Sequence, residues 1–584
     1  MSEPTSTIEF AGAIEASYRE VLDRLIREDA VGRLHRKDAS LWKDDPAHRK
    51  VIENRLGWLD APAWFENKVP HVTSFAAEVR GQGFTRVLLL GMGGSTLAPQ
   101  VLAEVMRPAP GAPTLEVLDS TDPAAIRAAE ASHRLDRTFF LVSSKSGRTI
   151  ETLSQYRYFR ARLEEMRVDS IPGRFAAITD PGSALEHVAS EDGMRRVFLN
   201  PADIGGRYSA LSYFGMVPGA LLGLDLEAFA ARAARVAKEF ASAEPERNGA
   251  LRLGAWLGAA ARSGRDKLTI LTPSSLRPIG YWIEQLIAES TGKEGRGIVP
   301  VEGEPPGFAR YYSEDRCFVA ITLQGEPAPE LVGLGSELRQ TGAPWIQITL
   351  SDRTDLAAEI YRWEVATAIA GAALEIDPFD EPNVQESKDA TAAILAEVER
   401  TGDVPVGQPR SRDEGVETFA SEDLWGKLTS HAPGHPSLEM VLGRFFALCE
   451  PGDYLAILAF LERTAATESA FANLRREIRD AVLIPVLQGY GPRYLHSIGQ
   501  LYKGGPPKGL FLMITAASGQ DLPIPLSGIT FGKLELAQAL GDARSLESHG
   551  RPTLRLHIAG SVTQGLAVIG HAAERALVAR ALEP

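Results

Sequence analysis

The chain has 584 residues, too many for one ordinary hydrophobic core, and this length favours about three to four domains. Its 62 basic and 76 acidic side chains give a net charge of −14, and such a surface favours neither nucleic acid nor an anionic membrane as a partner. An anionic ligand would therefore need a local basic pocket.

Cysteine content and the chain start indicate a cellular compartment. Cys317 and Cys449 are the only cysteines, too few for a disulfide framework or a zinc cluster, which is typical of a reducing environment. The sequence shows neither a signal-peptide pattern nor a stretch of membrane-spanning length. We therefore expect a soluble cytoplasmic protein.

Helical spacing dominates the first residues of the chain. Apolar side chains recur at that spacing in Ile14, Tyr18, Val21 and Leu25, among many charged residues. We predict an N-terminal helical segment over residues 1–65.

Short apolar runs, separated by longer stretches with helical spacing, begin near residue 84. We interpret as strands residues 87–90, 115–118, 139–142, 175–178, 197–199, 268–271, 318–321, 345–350, 483–487, 510–515 and 553–558. Continuous apolar strands that alternate with helices are typical of parallel sheets covered on both faces. The pattern predicts an α/β fold with doubly wound parallel sheets in two tandem domains and an additional C-terminal α/β module. The predicted parts are a first domain 66–240, a second domain 241–400, a linker or surface loop 401–425 and the C-terminal module 426–584.

A hydroxyl-rich loop follows the predicted strand 139–142. It contains Lys145, Gly147 and Arg148, together with the hydroxyl residues Ser144, Ser146, Thr149 and Thr152. The free N–H groups and positive dipole end of a helix start can bind a phosphate. One or two hydroxyls would indicate only a helix cap, but four hydroxyls with two cations favour an oxyanion site.

A glycine-rich loop follows the strand 87–90 and reads Gly91-Met-Gly93-Gly94-Ser95-Thr96. Glycines allow a ligand to approach the backbone closely. A dinucleotide-binding loop is one alternative, and Asp119 stands where such a loop has its ribose-binding acid. However, Thr96 occupies the third fingerprint position in place of Gly or Ala, so the match is weak.

Two further segments carry candidate catalytic groups. Gly205-Gly206-Arg207 presents a guanidinium that can stabilise a developing oxyanion, although an arginine in a turn is more often a solvated surface charge. In the predicted helix after residue 280, Gln285, Glu289 and Lys293 are spaced four apart. The pattern alone favours a surface ion pair between Glu289 and Lys293, and the alternative is a carboxylate base that faces a pocket.

These segments, together with Asp377-Pro-Phe379-Asp380 followed by Lys388 and with His496-Ser-Ile-Gly499-Gln500, resemble the glucose-6-phosphate isomerase family. The order of the motifs resembles in particular the isomerase half of bacterial transaldolase/glucose-6-phosphate isomerase fusions. The resemblance spans roughly residues 10 to 570 and leaves no room for a transaldolase barrel, which needs about 250 residues.

The resemblance implies sugar-isomerase (SIS) domains that interconvert glucose 6-phosphate and fructose 6-phosphate in glycolysis and gluconeogenesis. Glu289 would move a proton between C2 and C1 through a cis-enediol, Arg207 would stabilise the enediolate, and Lys388 and His496 would assist ring opening. The substrate would be bound by Gly93, Gly94, Ser95, Ser144, Lys145, Ser146, Thr149, Thr152 and Gln285. No metal or other cofactor is implied; the partner is the sugar phosphate, and a homodimer is an option.

The sequence departs from the family pattern at three places. Arg148 stands where threonine is commoner, and Glu381 stands where the family usually has glutamine, so it would repel a dianionic substrate unless it turns away or pairs with Lys388. His496 follows Lys388 in the chain, whereas most members place this histidine earlier and donate it from a neighbouring subunit. We hypothesise that the C-terminal module supplies His496, in cis or across a dimer, although a histidine packed in the core is the alternative.

Two other functions stay open at this stage. One is an isomerase for another hexose phosphate. The other is a non-catalytic sugar-phosphate sensor, which would need the phosphate loop but no proton-transfer base.

Overall fold

A computed structural model describes residues 7–430 and 436–582 of the chain. It has the α/β architecture that the sequence predicts, with helices packed around three sheets. Among the helices of these ranges, none combines the length and apolarity that a membrane span requires.

The N-terminal part begins with a strand and continues with helices that precede the first sheet. These elements are β1 (Thr7–Ala11), α1 (Glu15–Arg27), α2 (Ala30–His35), α3 (Pro46–Glu53), α4 (Ala61–Glu66) and α5 (Val69–Gly81).

The first sheet is fully parallel, in the order β3-β2-β4-β5-β6. Its elements are β2 (Arg86–Gly91), α6 (Leu97–Val105), β3 (Thr114–Leu118), α7 (Pro123–Ala131), β4 (Thr138–Ser143), α8 (Ile150–Glu165), β5 (Phe175–Thr179), α9 (Ala184–Glu191) and β6 (Arg196–Leu199). Every residue of β2 and β4 is buried, which is why these strands are uninterrupted apolar runs.

The second sheet has the order β1-β10-β9-β7-β8 and is parallel except for β1 at its edge. Its remaining elements are α10 (Tyr213–Leu221), α11 (Leu226–Phe240), α12 (Gly249–Arg262), β7 (Lys267–Leu271), α13 (Arg277–Thr291), β8 (Val299–Glu302), β9 (Arg316–Leu323), α14 (Pro329–Gln340), β10 (Trp345–Leu350) and α15 (Leu356–Leu374). One continuous apolar core joins the N-terminal helices, one face of the first sheet and the second sheet.

The third sheet has the order β11-β12-β16-β15-β13-β14, with β13 to β16 parallel and with antiparallel pairs β11–β12 and β12–β16. Its elements are α16 (Val384–Thr401), β11 (Ser411–Asp413), β12 (Val416–Phe419), α17 (Glu422–Thr429), α18 (Leu438–Ala447), β13 (Tyr454–Phe460), α19 (Ala465–Val482), β14 (Val486–Tyr490), α20 (Gly499–Gly504), β15 (Gly509–Ala516), α21 (Phe531–Ser548), β16 (Thr553–Ile558) and α22 (Val562–Leu582). Helices α16 and α21 pack against the second face of the first sheet. This contact places the C-terminal part of the chain beside the loops that follow β2 and β4.

Two segments differ from the sequence expectations. The segment 1–65 contains the strand β1, which pairs with β10, and the expected linker or loop 401–425 contains the hairpin β11–β12 and the start of α17. Glu414 and Gly415 form the hairpin turn with positive φ, and Val416 and Thr418 are buried while their neighbours in β12 are not. Such short edge strands are hard to recognise beside prolines and glycines. The predicted domain boundaries stay predictions.

Candidate active site

The loop after β2 allows two other parts of the chain to approach closely. Gly94 packs against the backbone of Gly206, where an added Cβ would lie 2.1 Å from the carbonyl oxygen. Gly93 has φ +55°, and a Cβ there would lie 2.6 Å from the carbonyl oxygen of His496. Only glycine fits these positions. In this structure the glycines, with the buried Ser95 beside them, therefore serve to bring the Arg207 turn and the His496 turn together.

The hydroxyl loop after β4 lies at the N-terminus of α8, as the sequence predicts. Ser144 Oγ and Thr149 Oγ1 share a hydrogen bond of 2.9 Å, and Ser144 Oγ also accepts from the N–H of Gly147 at 3.1 Å. Ser146 Oγ accepts from the N–H of Arg148 at 3.3 Å. Thr152 is buried one turn into α8, and its Oγ1 has no hydrogen-bond partner among the described residues. An anion at this helix start would find several donors.

Lys145 has a different position from the one expected for a phosphate ligand. Its ammonium pairs with Asp180 and donates to the carbonyl of Ala202 at 2.9 Å. The positive charge of this side chain is thus already compensated within the protein. The hydroxyls and the helix dipole therefore form the main anion-binding feature of the loop.

Glu289 lies on the buried side of α13, one turn from its C-terminal end. Its side chain is 10% exposed, and its Oε2 lies 3.6 Å from Arg207 Nη1 and 3.4 Å from Gln285 Nε2. Lys293 lies beyond the end of the helix, where its Nζ contacts Asp380 Oδ1 and the carbonyl of Asp377, both at 2.6 Å. The surface ion pair that the spacing favoured is therefore wrong. The carboxylate faces the interior beside an arginine.

Burial raises the pKa of Glu289 to about 8, and the nearby negative charge of Glu381 adds to this effect, while Arg207 opposes it. A carboxyl group with a pKa near neutrality can both accept and return a proton at neutral pH. The position is thus suited to an acid–base group.

Arg207 is held by four hydrogen bonds. Nε donates to Ser290 Oγ at 2.9 Å, Nη1 to Glu381 Oε2 at 2.9 Å, and Nη2 to the carbonyls of Pro378 and Asp380 at 2.8 and 2.9 Å. Burial lowers the pKa of Arg207, but Glu381 and Glu289 raise it above its ordinary value, so the guanidinium stays charged. Arg207 is therefore not the solvated surface charge that a turn arginine usually is.

Glu381 pairs with Arg207. Burial alone would raise its pKa, but the charge and hydrogen bond of Arg207 hold that pKa below the usual value. The guanidinium of Arg207 therefore interacts with two carboxyl groups, and its contact with Glu381 is closer than its contact with Glu289.

His496 reaches the site within the same chain. It ends a short helical turn, Arg493–His496, directly after β14, and its carbonyl accepts a hydrogen bond from Gln285 Nε2 at 2.8 Å. Gln285 thus contacts both Glu289 and the backbone of His496. The imidazole Nε2 lies 2.9 Å from Glu151 Oε1. His496 is therefore held by polar groups at the site, unlike the core histidine of the alternative interpretation.

Glu151 and Gln538 belong to the site although the sequence analysis assigned them no role. Glu151 is buried in the first turn of α8, and its Oε1 also accepts from Gln538 Nε2 on α21 at 2.7 Å. Burial raises the pKa of Glu151, but the charge and hydrogen bond of His496, a backbone hydrogen bond and the charge of Lys388 together outweigh this effect, so the pKa lies below its ordinary value. Glu151 lies within the hydroxyl-rich segment, so the sequence could have indicated a role for it, whereas no local sequence pattern indicates a role for Gln538.

A cleft of about 460 Å³ lies beside the phosphate loop and the imidazole of His496, and the backbone of His496 joins it to Glu289 through Gln285. It is lined by the phosphate loop and by Glu151, Lys388, His496 and Gln538. Lys388 is exposed on the first turns of α16, on the opposite wall from the loop. An anion site, an acid–base carboxyl, a fixed guanidinium and a histidine–lysine pair therefore lie around one region of the fold.

The model of the phosphoglucose isomerase family matches residues 71–298 of the chain. The chain is 30% identical to the glucose-6-phosphate isomerase of Thermosynechococcus vestitus over 395 residues, which are 61% of this chain and 74% of that protein. It is also 30% identical to the glucose-6-phosphate isomerase of Symbiobacterium thermophilum over 407 residues, 60% of this chain and 90% of that protein.

Two solved structures have a similar fold. A hypothetical protein of Thermus thermophilus aligns with a TM-score of 0.55 at 21% identity, over 67% of this chain and all of that one. The glucose-6-phosphate isomerase of Chlamydia trachomatis aligns with a TM-score of 0.53 at 17% identity, over 68% of this chain and 89% of that one. These two matches show a similar fold, and the sequence relatives show that the chain belongs to the glucose-6-phosphate isomerase family.

Proposed function

We propose that the protein is an aldose–ketose isomerase that interconverts glucose 6-phosphate and fructose 6-phosphate through a cis-enediol. The observation that carries this proposal is the position of Glu289, whose buried carboxyl has a pKa of about 8 and lies 3.6 Å from Arg207. Proton transfer between adjacent carbons needs one such group, which acts first as base and then as acid. The names of the relatives favour this substrate pair over another hexose phosphate.

Glu289 removes the proton from C2 of the open-chain aldose and returns it to C1, and the reverse reaction uses the same carboxyl. The enediolate that forms between these steps carries negative charge. Arg207 is charged, buried and fixed by four hydrogen bonds, so it stabilises this charge without having to reorganise. Gln285 orients Glu289 and connects it to the His496 turn.

His496 and Lys388 assist opening of the sugar ring, which must precede proton transfer. Ring opening needs a donor at the ring oxygen and an acceptor for the O1 proton, and an imidazole can exchange protons near neutral pH. Glu151 fixes the ring of His496 at 2.9 Å and is itself fixed by Gln538. Both His496 and Lys388 line the cleft beside the phosphate loop.

The hydroxyls of Ser144, Ser146, Thr149 and Thr152 and the N-terminus of α8 bind the 6-phosphate, with Gly93, Gly94 and Ser95 forming the adjacent wall. A sugar-phosphate sensor would need this loop alone. The buried carboxyl beside a fixed guanidinium has no role in such a sensor, so the structure favours the enzyme.

We further propose that the chain is of the type found as the isomerase half of transaldolase/glucose-6-phosphate isomerase fusions and that it acts in the cytoplasm. The position of His496 after Lys388 and its supply by the C-terminal module support the first point. A homodimer is compatible with this proposal but is not needed to complete the site.

Replacement of Glu289 by Gln should lower kcat by about 10³-fold, because the amide cannot take up a proton. Binding of 6-phosphogluconate, measured by calorimetry, should stay within about threefold of wild type, since the phosphate loop is intact. Glu294→Gln, an exposed change just beyond α13, is the matched control and should keep full activity.

Folded Glu289 is protonated up to about pH 8, whereas the unfolded group ionises near its ordinary pKa of 4.5. The group therefore lowers the free energy of unfolding as pH rises between these values. The Gln variant should therefore melt no lower than wild type at pH 7, and a variant with more than a tenth of wild-type kcat would contradict the assignment.

Co-expression of Glu289→Gln and His496→Ala chains tests whether the site is built within one chain. Both variants should be nearly inactive alone, and because the two residues act in cis, the mixture should be no more active than its components. If His496 came from a neighbouring subunit, each mixed dimer isolated through both tags would contain one complete site, so about half of the sites would be active. The isomerase assay on doubly tagged, co-purified chains distinguishes the two outcomes.

Replacement of Glu381 by Gln should shift the acidic limb of the pH profile of kcat/KM to lower pH. The base must be deprotonated, so kcat/KM for fructose 6-phosphate should rise with pH up to about 8 in the wild type. Glu381 raises the pKa of Glu289 and occupies Arg207 Nη1, and its neutralisation removes both effects. Glu386→Gln, an exposed change on α16, should leave the profile unchanged. A shift to higher pH would contradict this electrostatic account.

A further inference from the structure

The third sheet has a topological switch point that the proposed reaction does not use. The chain leaves β13 through α19 on one face of the sheet and leaves β15 through α21 on the other face. Strands β13 and β15 are parallel neighbours, so their carboxyl ends open into a crevice between the two connections. In α/β folds such a crevice is the usual place for a ligand.

A cleft of about 520 Å³ lies at this point. Residues 460–464 after β13 and residues 516–519 after β15 form its inner end, and helices α19 and α22 form its long walls. It is lined by different residues from the active-site cleft. Its volume is that of a small-molecule site.

Acidic side chains occupy two places in this cleft. At the inner end, burial and then the charge of Asp122 raise the pKa of both Glu462 and Glu535. At the outer end, burial and then the charge of Glu574 raise the pKa of Glu477. The five carboxyl groups outnumber the two basic side chains on the lining, Arg127 and His571, and the guanidinium of Arg127 already donates to the carbonyl of Gln520.

Glu535 is the strongest indication that this cleft is a ligand site. It lies on α21, lines the cleft and is only 8% exposed, yet its Oε1 has no hydrogen-bond partner among the described residues. A buried carboxyl without a partner is unfavourable, and native proteins keep such groups where a ligand or another function uses them.

The surface between the two acidic ends is apolar. Ala470 and Leu474 of α19 face Leu566 and Ala567 of α22 across the cleft. The N-terminus of α19 is closed by a capping box between Thr464 and Thr467, which takes up N–H groups that an anion would need. In the described residues the carboxylates also do not come together as a metal-binding group. The chemistry thus favours a ligand with two cationic ends and an aliphatic middle.

We propose that a linear aliphatic diamine binds in this cleft, with one ammonium group at the inner end beside Asp122, Glu462 and Glu535 and the other at the outer end beside Glu477 and Glu574. The methylene chain lies between Leu474 and Leu566. This site is separate from the isomerase site, and its occupancy does not depend on the proposed reaction.

Calorimetric titration of the full chain with 1,8-diaminooctane, which has two ammonium ends and only methylenes between them, tests the proposal. Wild type should show saturable binding with one site, and Glu535→Gln and Glu477→Gln should each weaken it at least tenfold by removing one end. The neutral analogue 1,8-octanediol should not bind. Glu422→Gln, an exposed change outside the cleft, is the control for non-specific attraction to an acidic protein and should leave binding unchanged.

Three results would overturn the proposal. One is the absence of saturable binding of 1,8-diaminooctane, another is equal binding by wild type and both cleft variants, and the third is binding of inorganic phosphate that the two cleft variants strengthen. Both variants replace a carboxyl group by an amide of the same size, and thermal melting that matches wild type shows that they are folded. A failed isomerase assay of the wild type would contradict the proposed reaction alone and leave the binding result interpretable.

Discussion

One buried guanidinium placed between two carboxylates sets the properties of the active site. Arg207 compensates Glu381 at 2.9 Å and approaches Glu289 at only 3.6 Å. In a mostly buried region, one positive charge stabilises one ionised carboxylate well, and a second one is costly. The environment therefore pushes the two pKa values apart, lowering that of Glu381 and raising that of Glu289. This division leaves a protonatable group, Glu289, beside a permanent positive charge, which is the arrangement that proton transfer through an enediolate requires.

The C-terminal module contributes Gln538 and His496 to this site. Its α21 packs on the first sheet with α16, and this contact brings Gln538 to Glu151 and the His496 turn to Gly93. His496 then lies between two fixed groups, with Glu151 at its ring and Gln285 at its backbone. The hydroxyl loop, Glu289 and His496 come from different parts of one chain, and the docking of the module brings them together.

The sequence predicted the α/β fold and the loops at the ends of β2 and β4, because buried parallel strands are continuous apolar runs and glycines and hydroxyls mark the loops directly. It missed β8 and β13, since a short or isolated apolar run has no periodicity that identifies it as a strand. Local spacing also favoured the wrong partner for Glu289. Whether its carboxyl group points to solvent or to the interior depends on contacts with Arg207 and Glu381, which are distant in sequence. Gln538 and the pairing of Lys145 with Asp180 could not be predicted for the same reason: their partners are distant in sequence. The catalytic and binding roles of the site residues stay predictions until they are measured.

Isomerisation of fructose 6-phosphate in D2O by the wild-type protein tests the central claim most directly. A proton held by Glu289 exchanges with solvent, so deuterium should appear at C2 of the glucose 6-phosphate formed, in a fraction that grows with repeated turnover and is read from the 1H NMR spectrum. Product that carries only protium at C2 after equilibrium is reached would contradict a proton-transfer role for Glu289.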